Sequence, residues 1–193
     1  MNASLVRLQT YLEEERKNGN IFPQGAVLCT VSKDGLPRSR VVGTMFDGEC
    51  RPKFHTSPIS RKVEDIKHSC NASLTYSFQN SLRSVSIEGI LSPLSKEELD
   101  TDWLIFNQNF RKHYLAFGEI SGQVIKSLDK LRQKRDSLVC EAEMTRPDSF
   151  IGYKFSIINR VSFYTVKDGD FAESSSYEKG TLQNPWVEVL HVP

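Results

Sequence analysis

The chain has 193 residues, with 25 lysines and arginines against 24 aspartates and glutamates and a net charge of +1, so no global field draws it to nucleic acid or to an anionic membrane. Hydrophobic residues make up 38% of it, and no apolar run approaches the roughly 20 residues that span a bilayer. A chain of this length can bury a full core as one unit; no linker interrupts it, and residues 1–193 are read as a single domain.

The first twenty residues are polar and acidic in their middle, Glu13-Glu14-Glu15-Arg16-Lys17, which does not fit a secretory signal; a cytoplasmic location is the expectation. Leu5, Leu8, Tyr11 and Leu12 fall at helical spacing over Ser4 to Lys17, and Asn18-Gly19-Asn20 supplies the stop. Ala26 to Ser32 reads as a strand, Asp34-Gly35 as a hairpin turn and Arg38 to Met45 as the return strand. A third strand runs over Arg51 to Thr56, and a short helix over Ser60 to His68. Asn71 to Phe78 and Ser81 to Leu91 form two more strands around a Gln79-Asn80 turn, the second alternating Val85, Ile87 and Gly89 with Ser84, Ser86 and Glu88.

Ser95 and Glu98 make a capping box that opens a helix through Phe106, with a second helical piece over Phe110 to Phe117. Ser127 to Ser137 is a charged helix with a solvated face. Phe150 to Val166 is the last long antiparallel run; Lys167-Asp168-Gly169 turns it, Glu173 to Ser176 is read as a polar loop, and Trp186 to Val192 closes the chain. Six or more antiparallel strands with helices at the periphery predict a mainly β fold, a Greek-key barrel. Cys29, Cys50, Cys70 and Cys140 show no C-x-x-C pairing, and His55, His68, His113 and His191 are equally scattered, so free thiols and no metal site are expected.

The chemistry concentrates between Ala26 and Lys62. Arg40 opens one strand, Phe54-His55-Thr56-Ser57 ends another, and Ser60-Arg61-Lys62 heads a helix. Cationic and hydroxyl side chains at strand ends, next to the free N–H groups of a helix start, make a cradle for a phosphate dianion. Cations at a helix N-terminus oppose the dipole, and an anion between them accounts for their position.

The same stretch resembles the pyridoxamine 5'-phosphate oxidase family of FMN-binding split barrels. The matching pieces are Asp34-Gly35-Leu36-Pro37, Ser39-Arg40-Val41-Val42 and Phe54 to Lys62. Beyond them, Arg83 to Gly89, Ser121-Gly122-Gln123, Arg146-Pro147 through Tyr153 to Phe163-Tyr164, and the terminal Trp186, Leu190 and Pro193 are similar to further family segments. The resemblance implies a split β-barrel, a homodimer and FMN at the subunit interface. It implies that Arg40, Val41 and Val42 line the ribityl-phosphate and ring edge, and that Thr56, Ser60, Arg61 and Lys62 hold the phosphate. Gln123 would reach FMN from the partner chain, His55 and Tyr164 would stand where the family has Tyr and Trp, and Ser84 would replace a Gln at the isoalloxazine.

Other positions depart from the family. Its L-L-K is here Gly43-Thr44-Met45, its substrate-gripping Y-F-x-S-R-P-x-x-S segment falls on Leu104 to Lys112 without a match, and its R-L-H-D-R motif is replaced around Phe171-Ala172-Glu173-Ser174-Ser175. Each lost charge-assisted bond to a pyridoxine phosphate is of order 1.5 to 3 kcal/mol. Three readings follow: an FMN-dependent oxidoreductase with an altered small-molecule substrate, a pyridoxamine 5'-phosphate oxidase with a remodelled pocket, and a non-catalytic flavin-binding protein. Arg111, Lys112 and His113 are read as a surface cluster.

Overall fold

The computed structural model describes residues 3–138, 145–179 and 186–193; Cys140 lies outside them. Eight strands form one antiparallel sheet: β1 (Gly25–Val31), β2 (Pro37–Phe46), β3 (Pro52–Thr56), β4 (Asn71–Phe78), β5 (Arg83–Pro93), β6 (Ile151–Thr165), β7 (Glu173–Lys179) and β8 (Trp186–His191). Their order is β3-β2-β1-β4-β5-β6-β7-β8, and β3 also pairs with β6, so β1 to β6 close into a barrel. The mainly β, split-barrel expectation holds.

Closure rests on the length of β6. Its first residues pair with β3, placing Phe54 opposite Tyr153 and Thr56 opposite Ile151, while its later residues pair with β7. Along its other edge it follows β5 through a register shift between Glu88 and Gly89. A side chain at Gly89 would put Cβ 2.1 Å from the Ile157 carbonyl oxygen, so glycine is what lets the two strands close up there.

The barrel interior holds Leu28, Phe54, Leu74, Tyr76, Val85, Ile87, Phe155 and Val161, each at most 1% exposed. Helix α1 (Ala3–Lys17) lays Leu5, Leu8 and Leu12 on this core, as the leucine spacing predicts. Burying side chains of this size stabilises by about 1.5–3 kcal/mol apiece. Helix α2 (Arg61–His68) packs on β1. A second, smaller core gathers Leu94, Leu99, Trp103, Tyr114 and Phe150 under α3 (Lys96–Ile105) and α4 (Gln108–Phe117). The capping box of Ser95 and Glu98 is formed in both directions. Helix α5 (Asp129–Ser137) buries no residue. No helix among the described residues is long and apolar enough to cross a membrane.

Two sequence expectations fail. Glu173 to Ser176 is not a loop but the start of β7, whose backbone is paired to β6 on one side and β8 on the other. Three consecutive serines carry no apolar alternation to announce a strand, yet Ser175 and Ser176 are buried by the neighbours that pairing brings. Arg111 is not on the surface. It is 8% exposed and donates to the carbonyls of Leu104 (2.8 Å) and Phe106 (2.9 Å), satisfying acceptors at the end of α3 that have no helical partner.

Candidate functional site

Two clusters, one on β1, β2 and α2 and the other on β3 and α3, are each built round a buried aspartate. Inward-facing residues of β2 alternate with outward ones: Arg38 and Arg40 turn toward α2, Val42 enters the barrel core at 8% exposure, and Val41 is exposed. Asp65 of α2 is 1% exposed. It accepts from Arg38 Nη1 at 2.8 Å, Arg40 Nη2 at 3.3 Å and Thr30 Oγ1 at 2.7 Å, and Arg40 Nη1 donates to Thr30 Oγ1 at 2.6 Å. Burial pushes the Asp65 carboxyl up, but the Thr30 hydroxyl and the two guanidiniums outweigh it and hold the carboxyl below its ordinary range.

Lys62 completes this cluster. Its ammonium donates to Ser60 Oγ at 2.6 Å and Thr56 Oγ1 at 3.1 Å, and among the described residues it has no carboxylate partner. Burial, reinforced by the charge of Arg40, pushes it below the ordinary lysine range. In the same turn the Ser57 hydroxyl is buried without a hydrogen-bond partner. A half-buried ammonium on hydroxyls alone, a second cation near it and an orphaned hydroxyl form a donor set that fits a phosphate. The one carboxylate of the cluster, Asp65, is outnumbered by Arg38, Arg40 and Lys62.

Of the residues expected to hold the phosphate, Arg40, Thr56, Ser60 and Lys62 are drawn together. Arg61 is not: it is exposed and makes no hydrogen bond or ion pair with the described residues. Ser84 and Tyr164 face each other across β5 and β6, and Tyr164 is 41% exposed. Gln123 is exposed in the loop after α4, where its N–H donates to the Ile120 carbonyl. None of the three touches the Arg40 cluster within one chain. Asp65 and Arg38 escaped the sequence reading, although the spacing of Arg38 and Arg40 on one strand face was a usable signal.

The second cluster lies on the outer side of β3. Asp102 of α3 is 1% exposed and accepts from Lys53 Nζ at 2.6 Å and His55 Nε2 at 2.9 Å. Burial pushes its carboxyl up, but the bonds from His55 and Lys53 outweigh this and keep it below the ordinary range. An ionised Asp102 accepts the Nε2–H of His55, and in the neutral imidazole that tautomer presents Nδ1 as the acceptor nitrogen. The imidazole stacks on Phe150 (4.6 Å, 10°) and meets Phe106 edge-on at 5.2 Å. Gly152 gives the ring its room, because a Cβ there would lie 3.1 Å from His55 Cδ2 and 2.8 Å from the Phe54 carbonyl.

His55 also borders a cavity of about 380 Å³, together with Phe22, Gln24, Met45, Phe106 and Phe110. Phe106 and Phe110 stack at 3.9 Å. The cavity adjoins the cationic cluster along both strands: Arg40 and Gly43 are separated by about 10 Å of β2, and His55 precedes Thr56 on β3.

No family model matches the chain. The pyridoxine/pyridoxamine 5'-phosphate oxidase of Leptospira biflexa serovar Patoc is 27% identical over 180 residues, which cover 91% of this chain and 82% of that protein. Among solved structures, PhzG from Burkholderia lata in complex with tetrahydrophenazine-1-carboxylic acid aligns with a TM-score of 0.81 at 22% identity, over 97% of this chain and 91% of that one. A pyridoxamine 5'-phosphate oxidase-related, FMN-binding protein from Nostoc punctiforme aligns with a TM-score of 0.82 at 15% identity, over 100% and 99%.

Proposed function

The chain is a divergent member of the pyridoxamine 5'-phosphate oxidase-like family of split barrels, and from that premise we propose that it is an FMN-dependent oxidoreductase acting on a substrate other than pyridoxamine 5'-phosphate. The observation that carries the reading is the Lys62 ammonium, half-buried on two hydroxyls beside Arg40 with no carboxylate of its own. Arg40, Thr56, Ser60 and Lys62 would hold the FMN phosphate, with Asp65 and Thr30 fixing the direction of the Arg40 guanidinium.

Val41 and His55 would border the rest of the cofactor. Gln123 is assigned to the FMN of a partner chain in a homodimer, and Ser84 and Tyr164 to the edge of the ring. When bound, FMN supplies two-electron redox chemistry, and the protein supplies binding and orientation. The altered substrate is supported by Met45 at the position of the family's lysine and by Phe106 and Phe110 in the segment that grips the substrate phosphate in the family. Neither change offers an anion a partner.

The test is titration of FMN by fluorescence quenching. Lys62→Ala is expected to weaken binding at least tenfold, and Arg61→Ala, at an exposed position, less than threefold. Wild-type affinity in Lys62→Ala rules the cradle out, and steady release of peroxide from pyridoxamine 5'-phosphate overturns the altered substrate.

A further inference from the structure

The cavity beside His55 has a chemical character of its own. The described residues that line it include no lysine, arginine, aspartate or glutamate, and its apolar side chains are three phenylalanines and a methionine. Lys53 and Asp102 stand behind the imidazole, but they neutralise each other at 2.6 Å, and their side chains are 9% and 2% exposed. A phosphate or carboxylate placed there would shed its water for no countercharge, a cost that excludes it. A flat apolar molecule would meet the stacked Phe106 and Phe110 rings and the thioether of Met45.

Two acceptors interrupt the apolar wall. The amide oxygen of Gln24 is buried and has no hydrogen-bond partner. His55 has its Nε2 committed to Asp102, and its Nδ1 is bonded to none of the described residues. Both want a donor, and the hydroxyl of Thr44, the other polar side chain of the lining, is already engaged by the Gln24 carbonyl and Tyr76. Three phenylalanine rings and an imidazole, a volume of about 380 Å³ and a few convergent polar groups are the make-up of a small-molecule site.

We propose that this cavity binds an uncharged, planar aromatic molecule carrying an O–H or N–H group, which it donates to His55 Nδ1 or Gln24 Oε1. The proposal deepens the flavoprotein reading, on which it rests for the cavity's role as a substrate site. Asp102 is the positioning residue: it holds the proton of His55 on Nε2 and so turns the ring's acceptor toward the ligand. Lys53 keeps that carboxylate from adding a net charge to the wall.

The probes are 2-naphthol and 2-naphthyl phosphate, titrated by naphthyl fluorescence at pH 8 into the protein with and without saturating FMN. We expect 2-naphthol to bind at least tenfold tighter than its phosphate ester, with or without FMN. Phe106→Arg is expected to invert the preference by placing a cation in the wall. His55→Phe should weaken 2-naphthol at least fivefold and leave naphthalene unchanged; Gln24→Leu, at a half-buried position, gives the same readout if the histidine variant does not fold.

Equal or tighter binding of the phosphate ester overturns the proposal, as does failure of 2-naphthol to bind. One-for-one displacement of 2-naphthol by FMN also overturns it, since the cavity would then seat the flavin ring itself. FMN affinity is measured separately in the same titrations, so a protein that prefers 2-naphthol but does not bind FMN loses the flavoprotein reading while the ligand class stands.

Discussion

Asp65 and Asp102 are both 1% exposed, and each accepts from two basic side chains, yet they prepare opposite surfaces. At Asp65 the partners are two arginines that remain 22–27% exposed, and Lys62 adds a third cation. One negative charge cannot cancel three positive ones, and the surplus faces outward. At Asp102 the partners are one lysine and a histidine whose proton sits on the bond, with side chains 9% and 4% exposed. The lysine and carboxylate charges close on each other behind the ring. A buried carboxylate therefore sits in either a cation-rich cluster or a charge-balanced one, according to how many cations surround it.

The sharpest way to break the comparison is to remove Asp102. Asp102→Ala strands a buried Lys53 and is expected to cost about 3–5 kcal/mol of stability in urea denaturation; a loss below about 1 kcal/mol would mean that the cluster is wetter than its exposure indicates.

Asp65→Asn is expected to cost less, about 1–2 kcal/mol, because the arginines it leaves can turn to water. Its signature is in the pH dependence. Both carboxyls sit below their ordinary range in the folded chain, so the unfolded chain binds more protons as pH falls. The stability they contribute is complete above the unfolded value of about 3.9 and is lost as pH drops through the folded values. Asp65→Asn should remove part of that acid-side loss; an unchanged acid limb argues against the ion pairs.

The smallest effect sharpens the cationic side. Lys62 is below the ordinary lysine range when the site is free, and a bound dianion would restore its proton affinity. FMN affinity should then be flat while Lys62 is charged in both states and fall severalfold as pH rises through its depressed value toward about 10.4. Lys62→Met should flatten the profile. A wild-type profile already flat from pH 7 to 10 would contradict the assignment.

Local signals were read correctly where the physics is local. The leucine spacing of α1, the capping box at Ser95 and the positive φ of Gly19, Gly35 and Gly169 in their turns depend on residues within a few positions of each other. Strand β7 was misread because its serines carry no pattern, and its pairing is set by β6 and β8. Arg40, Thr56, Ser60 and Lys62 were legible as one group because a recognisable order of residues carries them. The aspartates were not: Asp65 carries no local signal, and its arginines are 25 and 27 residues away; Asp102 is 47 and 49 residues from His55 and Lys53.

The order of residues alone decided the β-rich architecture, the helix stops and caps and the identity of the cationic and hydroxyl groups, since periodicity, capping and backbone preference act over a few residues. Barrel closure decided the rest. Only when β6 pairs with β3 and α3 packs beside them does Asp102 meet Lys53 and His55, and only when α2 lies on β1 does Asp65 meet Arg40. Charge balance at a site is a sum over neighbours in space, and sequence separation does not reveal those neighbours.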